Sequence, residues 1–485
     1  MFNSYIRALL IFGQTLVFAV SSYAQNLPSL GDRISGTVSL DQEYNMGQQF
    51  LAQIRRSAPT VPDALLISYL ENVTYRLATH SQLQDHRLSF VIIDSEELNA
   101  FAAPGGIIGV NTGLFLNAQT EAEFASVMAH EIAHVSQRHF ARRIDDAQAG
   151  QVAQIASLLA SVLVMATSDA SHGAAAITAV QGRAVENQLR FSRSNEAEAD
   201  RIGQDNMYAA GLDPEAMGSL FERLNGLNRF RNRPPEFLLS HPVTESRIAD
   251  ARGRAVRYPP RQYGVSLEYQ INRARVIGNY TEDKLGLITD AEERFREGDN
   301  EFALDVNRYQ LVVAYYENKM YREASSALAP LLKKEPNRIS YVVTQAEILT
   351  EQNEPGQALN FLQRHLEINP NNHALTIAYI NALIQARNYA EAANLLETHT
   401  AFRNSDHHLW YQLAETWGQA GNVSKVHQAR AEYYSLHYDF RNAREQLQFA
   451  LRIETDNGSG PAELARLKEK VKEVERRQLE LNAQQ

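Results

Sequence analysis

The 485-residue chain contains no cysteine, only two tryptophans, and no apolar stretch of membrane-spanning length. Lack of cysteine excludes a disulfide framework and a lipid-modified cysteine, so stability must come from the core or from a bound metal. Basic residues are in deficit: the formal net charge of −10 argues against a nucleic-acid partner. The longest apolar run, Val152 to Ala166, is broken by Gln154, Ser157 and Ser161. It falls short of the ~20 residues that a transmembrane helix needs. With the small-residue run Ala174 to Val180 it reads as a buried helical hairpin, or alternatively as a surface that touches a membrane.

The N-terminus has the pattern of a secretory signal. Arg7 is a short basic start, Ala8 to Val20 is mostly apolar, and Ser22-Tyr23-Ala24 is a small-x-small site before Gln25. The expectation is an exported chain cleaved after Ala24, with roughly 460 residues left for two or three domains. Residues 25–60 read as a tether or clamp, followed by a helix with core spacing from Asp63 to Ala78.

What the chain does have is His130-Glu131-Ile132-Ala133-His134. Residues four apart on a helix differ by only ~40° in azimuth, so the two imidazoles would converge on one point. Thr120 followed by Glu123 forms a capping-box start, and Phe124, Val127, Met128, Ile132 and Val135 make the helix a buried one. Two imidazoles and a carboxylate are the donors of a catalytic zinc ion that keeps a fourth position open. Glu131, one residue along, is placed to take a proton from the attacking water and pass it to the leaving amine.

The third ligand must come from elsewhere. His139 lies nine residues after His130, about half a turn round the same helix, and is expected to face away. Gln137 and Phe140 stand where the longer metzincin motif needs glycine and histidine. Downstream, Ser194-Asn195-Glu196-Ala197-Glu198-Ala199-Asp200 opens another helix. Glu196 and Asp200 share a face, as ligand and as acceptor for a ligand imidazole's free N–H. Glu198, about 200° from Glu196, should look elsewhere. Ahead of the histidine helix, the β-prone runs Leu88–Ile93 and Ile107–Val110 flank Asn99–Gly106. They suggest a hairpin or a sheet edge that an extended peptide could join.

With these residues the chain resembles the zincins related to HtpX and the CAAX prenyl endopeptidases. Further points of likeness are Asn99-Ala100-Phe101-Ala102-Ala103-Pro104-Gly105-Gly106 before the motif and Ser240-His241-Pro242-Val243-Thr244-Glu245-Ser246-Arg247 after it. The resemblance implies one Zn²⁺ per chain held by His130, His134 and Glu196, with Glu131 as base and Asp200 beside the ligands. It implies that His241 caps the metal at rest until a loop moves. Arg247 would either stabilise charge developing on the substrate carbonyl or hold the His241 loop.

The C-terminal part is repetitive. Ala324, Ala358 and Ala392 fall 34 apart, as do Pro336 and Pro370, which is the tetratricopeptide period. Trp410, Leu413, Ala414, Trp417 and Gly421 repeat the first-helix pattern. Ala443 breaks register, so a helix near 423–437 is expected to serve two neighbours. His407 and His408 have no carboxylate or cysteine partner nearby in sequence and read as surface residues. The expected organisation is a signal peptide (1–24), a protease domain (25–270), a linker (271–300), a tetratricopeptide solenoid (301–460) and a charged terminal helix (461–485). The fold class is mainly α with a small β-sheet: a zincin-type domain followed by an α-solenoid.

Taken with its repeats, the resemblance extends to periplasmic protease-chaperones of outer-membrane assembly. It implies a zinc endopeptidase that acts on unfolded or misassembled outer-membrane proteins and meets the assembly machinery through the repeats. Peripheral membrane contact is a further expectation. The competing reading is a non-proteolytic assembly chaperone or adaptor with a regulatory metal site; it should tolerate Glu131→Gln, whereas a protease should not.

Overall fold

The computed structural model describes residues 38–146, 193–228 and 235–484. The expected signal peptide and the 152–180 hairpin lie outside the described residues. The first described helix is α1 (Leu40–Ser57), whose capping box closes between Ser39 and Gln42. Helix α2 (Ala64–Ala78) is capped by Asp63, which accepts from the amides of Leu65 and Leu66. Both helices pack around a three-stranded sheet of β1 (Ser89–Ile93), β2 (Ala100–Ala103) and β3 (Ile107–Asn111), in the order β1-β3-β2.

The sheet departs from the simplest expectation. β1 and β3, the two apolar runs, pair in parallel, with Ser89 opposite Ile107 and Ile93 opposite Asn111. The hairpin instead joins β2 to β3. The small-residue stretch is therefore itself a strand, and its turn runs through Pro104, Gly105 and Gly106. Both glycines have positive φ, 68° and 76°, a conformation that side chains resist. Gly109 in β3 has a second reason to lack a side chain: an added Cβ would lie 2.1 Å from the Phe101 ring.

Next come α3 (Thr112–Asn117), α4 (Glu121–Ser136), α5 (His139–Asp146), α6 (Arg193–Ala209), α7 (Glu215–Asn228), α8 (Glu236–Ser240) and α9 (Glu245–Ala255). The apolar face of α4 supplies the centre of the main core, where Phe115, Phe124, Tyr69 and Tyr269 meet ring to ring.

Tyr269 belongs to α10 (Leu267–Tyr280), which is followed by α11 (Lys284–Glu297). The segment expected as a linker is thus helical. Buried faces on α10 reach both ways: Tyr269 and Val276 enter the N-terminal core, while Ile271 and Ala274 join the first repeat. Five helix pairs then stack. They are α12 (Glu301–Glu317) with α13 (Tyr321–Lys334), α14 (Ile339–Glu351) with α15 (Pro355–Ile368), and α16 (His373–Gln385) with α17 (Tyr389–Phe402). The last two are α18 (His407–Gln419) with α19 (Val423–Leu436), and α20 (Phe440–Asp456) with α21 (Pro461–Gln484).

Ala324, Ala358 and Ala392 are all fully buried, as the register requires. The repeat also shows in the backbone. Lys319, Asn353, Arg387 and Gly421 are each 34 residues apart and each has φ near +60° to +79°, one left-handed residue at the turn inside each pair. Helix α19 packs on both α18 and α20, serving two neighbours as its broken register suggests.

The solenoid docks on the N-terminal domain through ion pairs and backbone carbonyls. Arg403 pairs with Glu71, and Arg275 bridges Asp63 and Glu347. At the end of α1, Arg55 donates to the carbonyls of Leu436 and Ser405, and Arg56 to that of His437. Here the reading of His407 and His408 as surface residues is corrected. His407 is buried, and His408 Nε2 lies 2.9 Å from Thr60 Oγ1 across the interface. Docking of distant segments buries them, which no local pattern announces.

Candidate active site

Helix α4 starts where expected. Thr120 Oγ1 accepts from the Glu123 amide, while the Glu123 carboxylate reaches one residue further back, to Gln119. Along the helix His130, Glu131 and His134 are almost wholly buried. Helix α6 crosses close by because Gly203 has no side chain: a Cβ there would sit 3.2 Å from the Ala129 carbonyl carbon and the His130 nitrogen. That approach brings Glu196 and Asp200, on earlier turns of α6, to the two histidines. Helix α6 ends at Ala209, and Gly211 follows at φ 73°.

Four donor atoms converge. His130, His134, Glu196 and His241 each offer an atom, and these atoms lie within 4.8 Å of one another. His130 Nε2 is 3.0 Å from His134 Nε2 and 3.2 Å from His241 Nδ1. Glu196 Oε2 is 3.5 Å from His130 Nε2, and its Oε1 is 3.4 Å from His134 Nε2. A tetrahedron with metal–ligand bonds of ~2.0–2.1 Å has edges of about 3.3 Å, so the spacing suits a metal ion. Charge agrees: Glu196 and Asp200 pair with the Arg247 guanidinium and Glu131 adds a third carboxyl within its field, an imbalance that a divalent cation offsets.

The neighbours of the donors orient them. His130 Nδ1 lies 2.9 Å from Asp200 Oδ1. Arg247 holds Asp200 through Nε at 2.7 Å and Nη2 at 2.8 Å, and its Nη1 reaches Glu196 and the Pro242 carbonyl. The guanidinium therefore ties Glu196 and Asp200 of α6 to the loop that carries His241.

Burial works against charge on Glu196, but His241, His130 and His134 outweigh it and hold the carboxyl well below the usual range. Burial pushes His134 well below its ordinary value. His130, equally buried, is raised to about 10 by its hydrogen bonds to Asp200 and Glu196. Glu131 is raised chiefly by burial, and its Oε1 has no hydrogen-bond partner among the described residues. A carboxylate lifted in this way is better matched to moving protons near neutral pH.

His139 departs from expectation. Helix α4 ends at Ser136, Gln137 caps it, and Arg138 adopts φ 51°, which turns the chain before α5 begins. Rather than facing away, His139 is buried with its Nδ1 2.8 Å from His134 Nδ1. Its Nε2 lies 3.0 Å from Glu198 Oε2, which Arg142 also holds. Extrapolating one helix through residue 139 missed this contact. The Arg138 link, with no glycine or proline to mark it, carried no warning signal.

The site borders a cleft at His134, and the wall of that cleft includes Ala102, Ala103 and the Pro104–Gly106 turn from β2. On the far side α1 covers that turn. A Cβ at Gly47 would come within 2.0 Å of the Pro104 carbonyl oxygen. Arg138 Nη2 forms a buried pair at 2.8 Å with Glu43 of α1.

Comparison with known proteins agrees with this geometry. Residues 65–255 match the model of peptidase family M48, and residues 349–416 match a tetratricopeptide repeat model. The chain is 35% identical over 420 residues to the beta-barrel assembly-enhancing protease of Escherichia coli, covering 86% of this chain and 85% of that one. A putative beta-barrel assembly-enhancing protease of Vibrio cholerae is 34% identical, over 71% of this chain and 78% of its own. A mitochondrial metalloendopeptidase of Schizosaccharomyces pombe shares 30% identity over 47% of this chain and 65% of its own. With a donor cluster built for a metal and relatives matched along most of its length, the chain belongs to peptidase family M48 and is a metalloprotease with a C-terminal tetratricopeptide region.

Proposed function

We propose that the chain is a zinc-dependent endopeptidase of the periplasm that removes misassembled outer-membrane proteins and assists their assembly. His130, His134 and Glu196 hold one zinc ion, and His241 completes the set at rest. Bound zinc supplies Lewis acidity, polarising the scissile carbonyl and easing loss of a proton from water. Glu131 takes that proton at Oε1 and returns it to the leaving nitrogen as the peptide bond breaks. Asp200 accepts the His130 Nδ1–H and fixes that ring, while Arg247 holds Asp200 and the His241 loop rather than waiting for substrate. Substrate needs the position that His241 occupies, so this loop must swing out before cleavage. An extended client would lie along β2, the outer strand beside Glu131.

The observation that carries the reading is the buried Glu131 Oε1, an acceptor with no hydrogen-bond partner among the described residues, 3.7 Å from His241 Nε2 and beside four convergent metal donors. Export with cleavage after Ala24, contact of the repeats with the assembly machinery, and peripheral membrane contact complete the proposal. They rest on the sequence patterns and on the names of the relatives.

The test is cleavage of unfolded casein by the zinc-loaded mature chain. Activity should vanish in Glu131→Gln with zinc still bound, and rise in His241→Ala. Full activity in Glu131→Gln would remove the general-base assignment. Unchanged basal cleavage in His241→Ala would remove the restraining role of that histidine.

A further inference from the structure

We infer that His139 and Glu198 form a positioning relay that sets the tautomer and direction of the metal ligand His134. The inference rests on the zinc reading above. His139 is fully buried at the start of α5, and Glu198 lies on α6 two residues after Glu196. The two contacts, 2.8 Å from His134 Nδ1 to His139 Nδ1 and 3.0 Å from His139 Nε2 to Glu198 Oε2, make a continuous chain.

Only one arrangement of hydrogens suits that chain and leaves His134 able to bind a metal. The Glu198 carboxylate accepts, so His139 carries its hydrogen on Nε2. His139 Nδ1 is then a lone pair and accepts from the Nδ1–H of His134. His134 Nε2 is left as a lone pair directed at Glu196, His130 and the point between them. In the opposite order His139 Nδ1–H would donate to His134, placing the His134 hydrogen on Nε2 and closing it to a metal. Arg142, 2.9 Å from Glu198 Oε2, holds that oxygen against His139.

The two ligand histidines are thus oriented by different means. His130 meets its carboxylate, Asp200, directly. His134 meets one through an intervening imidazole, made possible by the turn at Arg138 that carries residue 139 back toward the site. The arrangement also spans α5 and α6, so His134 is steered from outside its own helix.

The test measures zinc affinity of the full mature chain by competition with a chromophoric chelator. His139→Ala should weaken zinc binding by about 10–100-fold, the usual effect of removing a ligand's orienting partner. His139→Asn, whose Oδ1 stands where Nδ1 stood, should recover at least half of that loss on a logarithmic scale. A histidine that only fills space would leave zinc affinity intact, or would make the two variants equally poor; either result overturns the relay. A measurement on the unmutated protein guards against misfolding. Nitrogen NMR of the zinc-loaded chain should find His139 in the Nε2–H form, and an Nδ1–H form would also overturn it. If the unmutated chain bound no zinc, the underlying zinc reading would fail instead, which separates the two failures.

Discussion

Removing the Arg138 guanidinium should loosen the wall of the active-site cleft by a calculable amount. Arg138 follows the histidine helix directly and pairs with Glu43, and both side chains are less than a tenth exposed. Its Nη2 also donates to the Val38 carbonyl at 2.6 Å, tying down the chain ahead of α1. Breaking a buried pair from one side takes an ion partner from the remaining charge, at a cost of about 3–5 kcal/mol. Arg138→Met should therefore lower the opening free energy of the first half of α1 by roughly 3 kcal/mol. Native-state hydrogen exchange of its backbone amides would then run about a hundredfold faster. Glu43→Leu combined with Arg138→Met replaces the pair with apolar groups and should restore most of the protection. Exchange unchanged in Arg138→Met, or a double variant no better than the single one, would refute the claim that this pair fastens α1 to the cleft.

Other consequences follow from particular contacts. Gly47→Ala would drive a methyl group into the Pro104 carbonyl, so α1 must lift from the turn; reduced peptidase activity and a lower melting temperature are expected, and unchanged values would show that the contact can relax. Lys319→Gly and Arg387→Gly release side chains from left-handed turns and should each add about 0.5–1 kcal/mol of stability, read as a raised melting temperature. His373, stacked on His399 inside the repeats, is lowered to about 3 by burial and nearby cations. The unfolded chain binds the extra proton first, so this stability is complete above about pH 6.5 and is lost as pH falls toward 3. The slope is at most ~1.4 kcal/mol per pH unit, and it should flatten in His373→Gln if His373 is its source.

Much of this site could be read from the sequence because the information is local. The i,i+4 spacing of His130 and His134 fixes their common face, and the same spacing does so for Glu196 and Asp200. The 34-residue alanine period gave the repeats for a similar reason. What escaped depends on the chain's return from a distance or on an unmarked change of direction. His139 was projected along a helix that ends before it, and the left-handed Arg138 that redirects it has no propensity for that role. The strand character of Ala100–Ala103 was hidden because small residues carry a weak β signal, and its pairing is settled by the turn at Gly105 and Gly106. Burial of His407 depends on two domains meeting.

Helix α1 touches the rest of the molecule at its two ends for different purposes. Eighteen residues make a strut of about 27 Å. One end is gripped by repeat carbonyls through Arg55 and Arg56, while the other bears on the Pro104–Gly106 turn and on Arg138. A strut transmits displacement along its length. Force applied to the solenoid near Ser405 and Leu436 is therefore borne in part by the lip of the cleft, and the repeats cannot be pulled away from the protease domain without either stripping those arginines or unseating the turn beside Glu131.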